Sequence, residues 1–240
     1  MKALLLAAGQ GTRISRYLNG CPKCTVDIGN GMPLIQYTVN MLKQIGITDI
    51  AVVTGYRHEV IEDLLKGQGI SFYYTPFFNV TNSIASAWFA RDFICDDDIV
   101  IMNADVFCEE SVFKRILEIK LNPVMFYDTS RIEEADYKFY CENDKIVRYG
   151  KELSPAETTG EYIGIAKISE DFLPRFRERM DEMISTQQSN VWWENVLYSL
   201  SADVAINAYD VYPEFWAEVD YIEDYERIKK FVKGDKNDRG

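Results

Sequence analysis

The chain has 240 residues, of which 47% are hydrophobic and 13% aromatic, and its formal net charge is −12 at pH 7. This length and apolar content can form a sizeable core, while the purely apolar runs are too short to span a membrane. The negative charge disfavours non-specific binding to nucleic acid. We therefore expect no nucleic acid as partner and no membrane span, and nothing in the sequence indicates an oligomeric state.

The first half alternates between two kinds of segment. Apolar runs predict strands at Lys2–Ala7, Asp49–Thr54, Ile70–Tyr74 and Asp98–Met102. Between and after them, amphipathic stretches predict helices at Pro33–Ile45, Glu59–Lys66, Asn82–Asp92 and Glu110–Lys120. This βαβ series predicts a parallel sheet with right-handed crossovers, and the loops after the four strands should meet at one edge of it.

The second half is richer in strands. Strands are predicted at Pro123–Tyr127, Lys138–Cys141, Lys145–Gly150, Glu161–Ile168 and Val204–Tyr209, and helices at Glu170–Ser185, Val191–Leu200 and Ile222–Val232. The pattern predicts an α/β fold, Rossmann-like, with a mixed, mostly parallel central sheet flanked by helices. We expect one domain over residues 1–233, and a flexible polar tail at 234–240.

A basic, glycine-bearing loop follows the first strand. Ala8-Gly9-Gln10-Gly11-Thr12-Arg13 comes directly after it, Pro22-Lys23 follows, and residues 1–24 include no acid. Glycine lets backbone N–H groups approach phosphate oxygens, and arginine and lysine supply charge-assisted hydrogen bonds, so the loop predicts a polyphosphate site. The third glycine of a dinucleotide fingerprint and the Gly-Lys-Ser/Thr of a Walker loop are both missing. A metal or redox role for Cys21 and Cys24 is the less favoured alternative, since no second cysteine pair accompanies them.

These residues carry a family resemblance. Leu-Ala-Ala-Gly-x-Gly-Thr-Arg followed by Pro-Lys resembles the signature of the nucleotidyltransferase superfamily, which includes MobA-like NTP transferases, and the chain is most similar to bacterial phosphocholine cytidylyltransferases. Modest matches lie at Asn103-Ala-Asp-Val and Gly160-Glu-Tyr-Ile-Gly-Ile, and a specific match lies at Trp216-Ala-Glu-Val-Asp220. The resemblance implies a fold like that of nucleotide-diphospho-sugar transferases, with a nucleotide-binding half at 1–120 and an acceptor-binding half at 121–233.

The resemblance also implies a metal site. Asp105 closes the fourth predicted strand, and Asp220 lies far away in sequence. In similar enzymes two such aspartates hold one Mg²⁺ that bridges the triphosphate, and two carboxylates suit that cation. The alternatives are a strand-end turn for Asp105 and an N-cap of the last helix for Asp220.

Nucleotide and catalytic roles are expected near the glycine loop. Arg13 and Lys23 would hold phosphates and offset charge in the transition state, although Lys23 could instead be a solvated surface lysine. Similar enzymes select the base with the loop that enters the third helix, here Asn82 and Ser83, but Asn82 could simply cap that helix. The remaining expected nucleotide contacts are Ala8, Gly9, Gly11, Thr12 and Gly55.

Aromatic and acidic residues of the second half suggest the acceptor pocket. Aromatic faces together with carboxylates can hold an amine or a quaternary ammonium. Lys151 is a candidate for the acceptor phosphate, with a lysine at a hairpin end as the alternative, and Trp192 or Trp193 could instead pack in the core. The predicted acceptor residues are Tyr137, Lys151, Glu161, Trp192, Trp193 and Glu194.

The predicted activity is Mg²⁺-dependent transfer from CTP to a phosphorylated amino-alcohol, phosphocholine or similar, with release of pyrophosphate. A sugar-1-phosphate nucleotidylyltransferase and a non-catalytic nucleotide-binding module are the alternatives. Five cysteines without framework spacing favour a cytoplasmic location.

Overall fold

The computed structural model describes residues 1–11, 13–14, 17–132 and 135–234. The first half contains strands β1 (Lys2–Ala7), β2 (Asp49–Thr54), β3 (Ser71–Tyr74), β4 (Ile99–Asn103) and β5 (Val106–Cys108), with helices α1 (Leu34–Gln44), α2 (His58–Leu64), α3 (Ser83–Phe89) and α4 (Glu110–Glu118). The second half contains strands β6 (Val124–Asp128), β7 (Lys138–Glu142), β8 (Lys145–Gly150), β9 (Gly160–Ile168), β10 (Asn207–Asp210) and β11 (Trp216–Glu218), with helices α5 (Leu173–Ser185), α6 (Asn195–Leu200) and α7 (Ile222–Val232).

One sheet takes strands from both halves of the chain. Its order is β3-β2-β1-β4-β9-β6-β10-β8-β7. In the described part of the chain, β8 and β9 run opposite to the other seven strands of this sheet, so the mixed, mostly parallel α/β fold is confirmed.

Alternating side chains of the strands build cores on both faces of the sheet. On β1, Leu4 and Leu6 pack into one core that includes side chains of α3, α5 and α6. Leu5 points the other way, into a core with side chains of α1, α2 and α4. This period-two pattern explains why the strands read as continuous apolar runs in the sequence.

A small antiparallel ribbon, β5 with β11, lies outside the main sheet and differs from the prediction. Val106 pairs with Glu218 and Cys108 with Trp216. Three-residue strands are too short to give a periodic signal, so the sequence did not reveal them. The ribbon matters because it carries the end of the chain back to the loop after β4.

The strand order reverses beside β1, which pairs with β2 on one side and β4 on the other. Open α/β sheets bind ligands at the carboxyl ends of strands at such a switch point. The glycine loop follows β1 and Asp105 follows β4, so both lie at this position.

Among the described residues, none of the helices is long and apolar enough to cross a membrane.

Candidate active site

Three adjoining cavities form a cleft at the switch point. The first, of about 250 Å³, contains most of the predicted acceptor residues together with Arg13 and Lys23. The second, of about 100 Å³, lies under Gly9 and Gly11 and shares Lys23 with the first. The third, of about 330 Å³, is bordered by Ala8, Gly9, Asn82 and Ser83. The cleft therefore joins the glycine loop, the start of α3 and the predicted acceptor residues, whereas Gly55 lines none of the three cavities. Thr12 lies outside the described residues.

Glycine serves a different structural purpose at each position of the predicted nucleotide loops. A Cβ at Gly9 would meet no atom within 4 Å, so the backbone there borders open space. Gly11 has a φ of +58°, and its Cβ would lie 2.5 Å from Cγ of Lys23. A Cβ at Gly55 would lie 2.8 Å from the carbonyl oxygen of Ala8, which accepts a hydrogen bond from Tyr56 N–H. Gly9 thus leaves room for a ligand, Gly11 leaves space for the side chain of Lys23, and Gly55 packs directly against the loop backbone at Ala8.

Three carboxylates meet at the centre of the cleft. Asp105, Glu218 and Asp220 each place one oxygen within 4.8 Å of the others. The ribbon brings them together, since Val219 N–H donates to the carbonyl oxygen of Asp105 at 2.9 Å. Asp220 does not cap α7, because the N-cap is Tyr221. Glu218 was missed in the sequence, although its position two residues before Asp220 would place both on one face of a strand.

The predicted catalytic cations bind these carboxylates directly. Lys23 Nζ contacts Asp220 and lies 3.3 Å from Asp105, and Arg13 donates to Asp220 at 2.8 Å. Burial alone would lower the pKa of Lys23, but the attraction of Asp105 and Asp220 is larger in sum and raises it. Burial, together with the charges of Asp105 and Asp220, holds the pKa of Glu218 well above its usual range. The site is thus compact and nearly self-neutralised, and Lys23 is not a solvated surface lysine.

The residues at the start of α3 have a structural role that borders the cleft. Asn82 is the N-cap of α3, and its side chain accepts from Ser83 N–H at 2.8 Å. Ser83 Oγ in turn accepts from Trp193 N–H at 3.0 Å. The capping alternative for Asn82 is therefore correct, and both residues also line the third cavity.

Trp193 corrects the predicted acceptor set. Its side chain is fully buried, and its indole N–H donates to Asn103 Oδ1 at 3.1 Å. A buried indole needs a hydrogen-bond acceptor, and Asn103 at the end of β4 provides it. Trp193 is a core residue that fixes Asn103 and Ser83, whereas its neighbour Trp192 is 41% exposed and lines the first cavity.

The first cavity brings the other predicted acceptor residues together. Trp192 meets Tyr137 edge to face at a centroid distance of 5.5 Å, and Lys151 forms an ion pair with Asp136 at 2.7 Å. Glu161 and Glu194 are buried beside them, and burial raises the pKa of each to about 7. The lining residues that were not predicted from the sequence are Asn103, Asp136, Tyr162, Gly164, Tyr198 and Glu218.

The Cys21-x-x-Cys24 alternative finds no support. Both thiols are free, and Cys24 is buried at the base of the second cavity. Burial raises the pKa of the Cys24 thiol, and a redox-active or metal-binding cysteine needs the opposite shift.

Comparison with known proteins gives consistent relatives. A CTP:phosphoglutamine cytidylyltransferase of Campylobacter jejuni is 27% identical over 94% of this chain and 98% of its own. A choline-phosphate cytidylyltransferase of Streptococcus pneumoniae is 21% identical over 98% of this chain and all of its own.

Solved structures share the fold. A CTP:phosphocholine cytidylyltransferase from Streptococcus pneumoniae superimposes with a TM-score of 0.80 at 19% identity, over 96% of this chain and 98% of that one. An inositol-1-phosphate CTP transferase from T. maritima superimposes with a TM-score of 0.78 at 18% identity, over 97% of this chain and 96% of that one. Residues 3–129, more than half of the chain, match the model of one family. The chain belongs to the MobA-like NTP transferase domain family.

Proposed function

We propose that this protein transfers a cytidylyl group from CTP to the phosphate of a small acceptor that carries an amine, and releases pyrophosphate. An oxygen of the acceptor phosphate attacks the α-phosphorus, the bond to the β-phosphate oxygen breaks, and a phosphoanhydride forms. A phosphate monoester is largely dianionic near neutral pH because its second pKa is about 6, so the attack requires no general base. The choice of CTP is supported by the cytidylyltransferases among the relatives.

One observation carries the proposal. The cluster of Asp105, Glu218 and Asp220, with Lys23 and Arg13 bound to it, lies between the cavity under the glycine loop and the cavity with aromatic and acidic walls. A nucleoside triphosphate under the glycine loop and a phosphorylated amine between the aromatic and acidic walls would meet at this cluster. Holding two reactants in one cleft is the main requirement of phosphoryl and nucleotidyl transfer.

The carboxylate cluster fits Mg²⁺. Its three oxygen donors are close enough to share one hard cation, and this cation prefers carboxylates together with phosphates and water. We propose Asp105 and Asp220 as ligands, with Glu218 beside them. A bound Mg²⁺ would neutralise charge on the phosphates of CTP.

The protein's own groups would do the rest. Backbone N–H groups near Gly9 and Gly11 can bind phosphate oxygens, and Lys23 and Arg13 can leave the carboxylates for the triphosphate. Asn82 and Ser83 are proposed to contact the base. The hydroxyl of Ser83, which already accepts from Trp193, can still donate its own proton.

Pyrophosphate release tests the proposal. CTP, UTP, GTP and ATP are each combined with phosphocholine, phosphoethanolamine, 2-aminoethylphosphonate and glucose-1-phosphate, with Mg²⁺ and with excess chelator. We expect turnover with CTP and an amine acceptor, and loss of it with chelator. The Asp105→Asn variant should be inactive, while Asp63→Asn, an exposed control in α2, should not. Turnover of the sugar phosphate alone would refute the amine acceptor, and no turnover at all would refute an enzyme.

A further inference from the structure

The acceptor cavity contains a buried carboxylate oxygen in need of a hydrogen bond. Glu194 is only 6% exposed, and its Oε2 has no hydrogen-bond partner among the described residues. The hydroxyls of Tyr162 and Tyr198, also buried and lining the same cavity, have none among them either. A buried polar atom without a partner is costly, and three such atoms in one cavity indicate a polar ligand that supplies the donor missing at Glu194.

The aromatic rings of the same cavity offer few free faces to a cation. Tyr198 stacks on Tyr137 at 5.6 Å and on Tyr149 at 4.1 Å between centroids, with interplanar angles of 11° and 14°. The ring of Trp192 already carries the ammonium of Lys151 at 5.2 Å from its centroid. A quaternary ammonium is held mainly by open ring faces, and in this cavity the ring of Tyr198 and one face of Trp192 already have partners within the protein.

We propose, resting on the function above, that the amine of the acceptor bears at least one N–H, which it donates to Oε2 of Glu194. Primary, secondary and tertiary ammonium groups can make this charge-assisted bond, and a trimethylammonium group cannot. A quaternary acceptor would cover Glu194 and leave its oxygen unpaired. The structure thus assigns Glu194 as the residue that distinguishes an N–H ammonium from choline.

A methylation series separates this idea from simple size exclusion. Phosphoethanolamine, its N-methyl and N,N-dimethyl derivatives and phosphocholine are compared by kcat/KM with CTP held saturating. We expect similar values for the first three and a fall of about 10- to 100-fold at the last, since only that step removes the final N–H. An even decline with each methyl group would indicate a steric limit and overturn the proposal. Equal or better use of phosphocholine would overturn it while leaving the cytidylyltransferase function intact, whereas no turnover with any of the four or with 2-aminoethylphosphonate would refute the amine acceptor itself.

A substitution tests the residue. Glu194→Gln keeps the volume but replaces the anionic acceptor by a neutral, weaker one, so the ratio of kcat/KM between dimethyl and trimethyl acceptors should fall clearly toward 1. Glu161→Gln is the matched control, because Glu161 is equally buried but its Oε1 already accepts Asp136 N–H at 2.7 Å. This control should retain the wild-type ratio even if its activity falls. Loss of the ratio in both variants, or in neither, would contradict the assignment to Glu194.

Discussion

Replacing Lys23 by methionine should change two properties in opposite directions. Lys23 lies between Asp105 and Asp220 and is 15% exposed, so methionine fills a similar space without the charge. In the proposed reaction Lys23 offsets charge that develops on the phosphates. Loss of one such electrostatic group lowers turnover by about 10²–10³.

The same substitution removes a competitor for the metal. Unit charges about 4 Å apart interact by about 4 kcal/mol at an effective dielectric constant of 20, and hydration of these partly exposed groups reduces the net effect. We therefore expect Lys23→Met to bind free Mg²⁺ about tenfold more tightly without nucleotide, which corresponds to about 1.4 kcal/mol.

Two assays on the same preparations check this pair of effects. Pyrophosphate release gives the turnover, and titration calorimetry with MgCl₂ gives the affinity of the nucleotide-free protein. Lys66→Met, an exposed lysine after α2, is the control and should match the wild type in both. Turnover of Lys23→Met within a few fold of wild type would refute its catalytic role, and weaker Mg²⁺ binding would refute the competition.

Two further predictions concern the acceptor pocket and the glycines. Burial raises the pKa of Glu194 from 4.5 to about 7, and a cationic acceptor binds the ionised form. The KM of the wild-type protein for the acceptor should therefore rise below about pH 7, and that of Glu194→Gln should rise less. Parallel pH profiles of KM for the two proteins would contradict this. A Cβ at Gly160 would lie 2.4 Å from the carbonyl oxygen of Asp128, so Gly160→Ala should cost about 1–3 kcal/mol of unfolding free energy. The added methyl group of Gly9→Ala would lie in open space, so this variant should keep the melting temperature and bind CTP more weakly. An equal loss of stability in Gly160→Ala and Gly9→Ala would refute this reasoning.

The elements of the main sheet were predictable because their patterns are long. The strand predicted at Lys2–Ala7 is observed with the same bounds, and its alternating burial follows from period two. The helix predicted at Val191–Leu200 begins only at Asn195, since Trp193 N–H bonds to Ser83 and not to a preceding turn. A tertiary contact decided that boundary, and the sequence around it contains no sign of the partner.

The site was predictable where one residue type has one chemical use. Asp105 was selected as a carboxylate at the end of an apolar strand, the family resemblance paired it with Asp220, and the structure brings the two together. The ribbon that does so has three-residue strands, so neither its pairing nor the place of Glu218 followed from a pattern. Trp193 was misassigned because two adjacent tryptophans cannot be told apart in a sequence. In the fold, Trp193 is buried and bonds to Asn103, whereas Trp192 lines the cavity.

The arrangement explains how a chain with a net charge of −12 can accept a triphosphate. In the described structure Lys23 and Arg13 neutralise carboxylates that would otherwise repel the ligand and each other. In the proposed complex the two cations pass to the phosphates while Mg²⁺ takes their place at the carboxylates, so each charge exchanges one partner for another and none is left unpaired. A buried ion without a partner is far more costly than a paired one, and this requirement favours arrival of nucleotide and metal together. CTP alone would take the cations and leave the carboxylates unpaired, and Mg²⁺ alone would take the carboxylates and leave the cations unpaired. Each should therefore bind more weakly alone than in the presence of the other.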